Sequence, residues 1–146
     1  GFLVVDLPPE EAGDFKKAAE SCGLAMIFLL APTSTDERMK LVSKAASGFI
    51  YYVSVTGVTG ARETLAEMMD SSVEKIRKFS SLPVGVGFGV STPEHVTTIA
   101  HYADAVIVGS AIIKVIAEHR GSPDMIQKTG HYIRSLKDAT HVIRSH

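Results

Sequence analysis

Cysteine is almost missing from this chain: of 146 residues, one is Cys. Cys22 cannot close an internal disulfide. With no second Cys and no His at ligand spacing beside it, it reads as a small packing residue rather than a reactive thiol. An excess of either charge is also missing. Fifteen Lys and Arg stand against sixteen Asp and Glu, for a formal net charge of −1, which leaves no electrostatic footprint for nucleic acid and no polybasic membrane patch. Long apolar runs are absent too. The longest, residues 25–31, is far short of the roughly 20 residues a spanning helix needs. No charged-then-apolar leader opens the sequence, so a cytoplasmic location is expected. His95 and His101 are six apart and the remaining histidines are scattered toward the carboxyl end, so metal-ligand spacing is absent and no metal is expected. Ser54 and Ser110 have no histidine at motif spacing. The stretch GVGFGV, residues 85–90, is not the G-x-G-x-x-G of a dinucleotide fold. Nucleophilic catalysis and NAD binding are therefore set aside.

What is present suits one globular domain over residues 1–146, with a hydrophobic content of 45% that is enough for a core. Short apolar runs recur at residues 2–5, 25–31, 49–55, 84–90 and 105–109. They are continuous rather than alternating, the pattern of strands buried on both faces of a parallel sheet. Between them lie helical stretches. Ser34 with Glu37, Ser71 with Glu74 and Ser91 with Glu94 fit the capping-box spacing, and Pro93 sits where a first-turn proline is tolerated. Leu41, Val42 and Ala45, then Val73 and Ile76, then Val96, Ile99 and Ala100 follow at helical intervals. Residues 61–69 read as loop and packing surface rather than a partner-binding helix. Two helices are expected after the fifth strand, at about residues 110–118 and 123–142. The reading is strand and helix, five times over. A closed (β/α)₈ barrel needs eight such units and about 250 residues. This is either an open doubly wound domain or the carboxyl-terminal part of a barrel. The chain enters a strand by its second residue, as a complete domain could after processing.

Parallel α/β folds keep their chemistry at the carboxyl ends of strands. Here the first strand ends at Asp6, the third runs into TGVTG at residues 56–60, the fourth carries Gly85, Gly87 and Gly89 around Phe88, and the fifth ends in Gly109 and Ser110 at a helix start. Glycine lets backbone N–H groups approach a ligand, and a helix amino terminus favours an anion. Glycines in three loops on one face point to phosphate, although each alone could serve only a turn.

The stretches VVDLPPEEA, YYVSVTGVTG, GVGFGVSTPEHV and VIVGSAIIK, in this order and spacing, resemble the tryptophan synthase α subunit family over essentially the whole chain. The resemblance implies a TIM barrel of which this chain supplies strands four to eight. It also implies a lyase activity, the retro-aldol cleavage of indole-3-glycerol phosphate to indole and glyceraldehyde 3-phosphate in tryptophan biosynthesis. By resemblance the phosphate site falls on Gly60, Gly89, Gly109 and Ser110. Leu3, Leu29 and Phe88 line the indole pocket, Tyr51 lies near the reacting centre, and Asp6 positions the active-site loops. Thr59 belongs to a mobile lid.

The family's principal acid–base carboxylates lie upstream of its fourth strand, so the chain alone is expected to be inactive. No cofactor is expected in this chain. Pyridoxal phosphate belongs to a β subunit, which the resemblance places against the strand-end face carrying Pro8. A half barrel would expose open strand edges, and self-association or a missing amino-terminal segment is expected to cover them. A non-catalytic phosphate-binding or protein-binding half-barrel module remains the alternative.

Overall fold

The computed structural model describes residues 1–54, 62–87 and 89–141, with the side chains of residues 62–68 outside the description. Five strands alternate with helices: β1 (Phe2–Leu3), α1 (Gly13–Ser21), β2 (Met26–Leu30), α2 (Asp36–Ala45), β3 (Ile50–Val53), α3 (Arg62–Arg77), β4 (Val84–Gly87), α4 (Pro93–Ala100) and β5 (Ala105–Ile107). Two helices follow, α5 (Ser110–Glu118) and α6 (Met125–Asp138).

The strands lie in the order β1-β2-β3-β4-β5, every neighbouring pair parallel. This order decides between the two architectures left open by the sequence. A doubly wound sheet reverses direction from an internal strand and carries helices on both faces. Sequential parallel strands joined by right-handed crossovers put every helix on one face, as a barrel wall does. Burial agrees. Met26, Phe28, Leu30, Ile50, Tyr52, Val84 and Val86 share one face and form the core with Ala19, Met39, Val42, Val73, Ile76, Val96 and Ile99 of the helices. Val42, Ile50, Val73, Ile76, Val84 and Val86 are wholly buried, and each such side chain contributes about 1.5–3 kcal/mol.

The opposite face carries Leu3, Ile27, Leu29, Tyr51, Val53, Gly85, Gly87 and Ile107, aligned by the registers Leu3↔Ile27, Leu29↔Tyr51↔Gly85 and Val53↔Gly87↔Ile107. Leu29, Tyr51, Val53 and Ile107 are only half-buried there. The continuous apolar runs predicted burial on both faces, but only the helix side is sealed among the described residues. The two outer strands are short, β1 exposed and β5 half-buried beyond Ala105. β1 holds two residues rather than four, and Val4 and Val5 continue beyond it at 38% and 70% exposure.

Helix starts differ from the capping-box reading by one residue or more. Thr35, not Ser34, caps α2, its hydroxyl accepting the Arg38 amide at 3.3 Å. Ser34 Oγ instead accepts the Ala31 N–H at 3.0 Å and closes the turn after β2. Thr92, not Ser91, caps α4 through the His95 amide, with Pro93 in the first turn. Ser71 starts nothing. It lies inside α3, which begins at Arg62, because Glu, Leu, Ala and Met in residues 63–69 are strong helix formers. That stretch is therefore helix rather than loop, and its Met69 is buried in the core. α5 has its predicted bounds, while α6 is shorter than expected and is joined to α4 by Thr97 Oγ1 donating to the Ala139 carbonyl at 3.3 Å.

Candidate functional site

Because all five strands run the same way in register, the segments after them share one rim. Asp6 and Pro8 follow β1, Ser54 follows β3, Gly89 follows β4, and Gly109 with Ser110 follows β5. Leu3, Leu29 and Tyr51 belong to the inner face beneath that rim. The expected residues Thr59, Gly60 and Phe88 lie outside the described residues.

The glycines of the β4 run separate into two kinds. Gly89 alone among them has a left-handed backbone, φ +71, and its turn requires glycine. Gly85 and Gly87 lie within β4, where the expectation of ligand approach gives way to packing. A Cβ on Gly85 would meet Ile107 Cδ1 at 3.0 Å and the Phe49 ring at 3.2 Å. On Gly87 it would stand 2.6 Å from Tyr51 Oη and 2.9 Å from both Cβ and the carbonyl oxygen of Ile107. Gly87 thus makes the space that the Tyr51 hydroxyl occupies. Burial raises the Tyr51 phenol above its ordinary value, which keeps it protonated at neutral pH and able to donate.

Gly109 is different again. It caps α5 with no side-chain hydrogen bond, the first turn of α5 holds no acidic residue, and a Cβ at position 109 would meet nothing within 4 Å. The Gly109 carbonyl accepts from the Ile112 and Ile113 amides at 3.0 and 3.2 Å. No side chain caps the Ser110 and Ala111 amides, and a helix start without a capping side chain is one that favours an anion.

At the other end of the rim, a cavity of about 160 Å³ lies between the β1 loop, β2 and α2, lined among others by Val5, Asp6, Pro8, Phe28, Leu29 and Arg38. Gly89, Gly109 and Ser110 do not line it. Arg38 Nη1 donates to both carboxylate oxygens of Glu10, at 2.7 and 2.9 Å, tying the loop that follows Asp6 to α2. A backbone amide and then this guanidinium hold the Glu10 carboxyl below its ordinary value. Asp6 itself is exposed.

Two rim residues escape a reading by motif. Ser54 is 2% exposed, and both its amide and its hydroxyl donate to the Gly87 carbonyl, at 3.0 and 3.1 Å. It locks the ends of β3 and β4 together. A buried serine at the end of an apolar strand was the available signal, but its partner follows only from register. Arg38 is the second, since its ion pair with Glu10 joins residues 28 apart in sequence. Among the described residues no group of His, Cys, Asp and Glu could hold a metal ion. No described helix is long and apolar enough to cross a membrane.

Comparison with known proteins gives this geometry relatives. The family model described as tryptophan synthase alpha chain matches residues 1–141. The tryptophan synthase alpha chain of Geotalea daltonii is 53% identical over 137 residues, covering 94% of this chain and 52% of that one. The crystal structure of the tryptophan synthase alpha chain from Legionella pneumophila subsp. pneumophila matches with a TM-score of 0.82 at 36% identity, over 99% of this chain and 53% of that chain. A tryptophan synthase α2β2 complex from Pyrococcus furiosus contains a chain that matches with a TM-score of 0.77 at 36% identity, over 93% of this chain and 54% of its own length. The chain spans about half the length of these relatives.

Proposed function

This chain belongs to the tryptophan synthase alpha chain family, and from that premise we propose that it is the carboxyl-terminal half of the barrel that cleaves indole-3-glycerol phosphate to indole and glyceraldehyde 3-phosphate. The observation that carries the reading is the rim: Asp6, Gly89, Gly109 and Ser110 follow the carboxyl ends of parallel strands in barrel order. In this reading the substrate phosphate meets the amides at the start of α5 and the Gly89 turn, supplemented by Gly60. Backbone N–H groups and the helix field bind it without a lysine clamp. Leu3 and Leu29 of the inner face meet the indole ring. Tyr51, held neutral, lies under the reacting bond as a donor, and Asp6 orients the neighbouring loops.

Cleavage of the carbon–carbon bond requires a proton delivered to C3 of the indole ring and a proton removed from the glycerol hydroxyl. Each is work for a placed acid or base. The carboxylates for it belong to the upstream half, so this half contributes binding and orientation. The partner is a tryptophan synthase β subunit meeting the rim that bears Pro8. Pyridoxal phosphate resides in that subunit, this chain needs no cofactor of its own, and the location is the cytoplasm.

Calorimetric titration of glyceraldehyde 3-phosphate into the chain, in the presence of the amino-terminal half of the Geotalea daltonii relative, tests the rim. Saturable binding displaced by inorganic phosphate is expected. Absence of binding from a folded pair would remove the phosphate site and the catalytic reading with it.

A further inference from the structure

Ser91, in the loop between β4 and α4, has both backbone groups engaged by side chains. Tyr132 Oη of α6 donates to its carbonyl at 2.8 Å, across 41 residues of sequence, and its amide donates to His95 Nδ1 of α4 at 3.4 Å. We propose that Tyr132 is a positioning residue for phosphate: by holding the Ser91 carbonyl it fixes the short loop on which Gly89 turns. The proposal rests on the reading of the rim as a phosphate site.

The loop leaves β4 at Gly87 and reaches the α4 cap at Thr92, so few residues can absorb movement. Val90, 5% exposed, buries one side of it, and Thr92 fixes its end through the cap. Between them, the direction of the Gly89 and Val90 amides depends on what holds Ser91. His95 reaches it over a long 3.4 Å contact, whereas the tyrosine bond is short and comes from a ring that itself packs against the core. Burial raises the Tyr132 phenol, which keeps it a donor. A tyrosine has few rotamers to lose, so the tie is stiff.

Its origin matters as much as its length. α6 packs on α5, and α5 begins at Ser110, the other wall of the proposed site. Through Tyr132 the helix pair that presents one wall also holds the loop that presents the other. The separation of the two walls is thereby set from a helix that contributes no group to the site. The end of α6 is also tied to α4 itself, by the Thr97 to Ala139 bond, which lies apart from Ser91 and supplies the control.

Tyr132→Phe removes the hydroxyl and keeps the ring. The experiment uses the 146-residue chain with the upstream half of a relative, titrates inorganic phosphate by calorimetry, and reads amide exchange across residues 89–92. Loss of one hydrogen bond predicts phosphate binding about three- to tenfold weaker, with faster exchange across that loop. Thr97→Val is expected to lower the melting temperature and leave phosphate binding unchanged. If Tyr132→Phe binds phosphate as the parent does, the positioning role is overturned while the phosphate site stands. Equal weakening by Thr97→Val overturns it as well, since general docking of α6 would then explain both. A parent that binds no phosphate removes site and role together.

Discussion

An added methyl group at position 87 would collide with the Tyr51 hydroxyl at 2.6 Å and with Ile107 at 2.9 Å. Gly87→Ala is therefore expected to cost about 1–3 kcal/mol, as overpacking of a close contact does, read as a lowered urea midpoint. Tyr51→Phe in the same background removes one of the colliding atoms and should recover part of the loss. Strict additivity of the two substitutions would disprove the contact. At position 109 the opposite holds, because a new side chain meets nothing within 4 Å. Gly109→Glu should fold normally, its carboxylate favoured by the helix start, yet lose measurable affinity for inorganic phosphate in calorimetry. Undiminished affinity would exclude the α5 terminus as the binding point. Both residues were visible in the sequence as glycines near strand ends, and Gly89 and Gly109 were legible as candidates for backbone approach. That Gly85 and Gly87 serve packing was not, since the run GVGFGV does not reveal which glycine lies opposite Tyr51. Only the register Tyr51↔Gly85 and Val53↔Gly87 does so.

The elements followed the sequence most closely where apolar residues recur at a fixed interval. Val42, Val73, Ile76, Val96 and Ile99 are buried on the helix side as that interval predicted, while Leu41, Ala45 and Ala100 of the same pattern are half-buried. Starts were less legible, because serine and threonine adjoin at 34–35 and 91–92 and either can cap. The start of α6 has its own electrostatics. The Ser122 hydroxyl and then Lys128, whose Nζ lies 2.9 Å away, hold the Asp124 carboxyl down to about 2, against an ordinary 3.8. A carboxyl lowered by folding stabilises the fold above its unfolded-state value and loses that effect as pH falls through its folded value. Asp124→Asn should thus melt below the parent at neutral pH, and the gap should close between pH 3.8 and about 2. A gap that stays constant down to that pH would show that the ion pair contributes nothing to α6.

At the scale of the whole sheet, the five parallel strands run in one order, and among the described residues β1 and β5 each have a strand neighbour on one side alone. Apolar side chains stand exposed at both ends of the chain order: Phe2, Val4, Val5 and Phe15 around β1, and Ile113, Ile126 and Ile133 on the helices after β5, with Ile126 at 80% exposure. Surfaces of this kind invite association. Binding of a hydrophobic dye by the chain, suppressed when the upstream half is added, is the expected sign that the two pieces cover each other. The apolar runs alone suggested burial on both faces and could not show that Leu29, Tyr51, Val53 and Ile107 are only half-buried among the described residues, because that depends on what packs against the inner face rather than on the run itself. The direct test of the account is indole release from indole-3-glycerol phosphate by the purified 146-residue chain, with and without the amino-terminal half of the Geotalea daltonii relative. Each placed acid–base group contributes about 10²- to 10⁴-fold, so the account predicts background release from the chain alone and turnover from the pair. Robust release by the chain alone, or none from a well-folded pair, would contradict it.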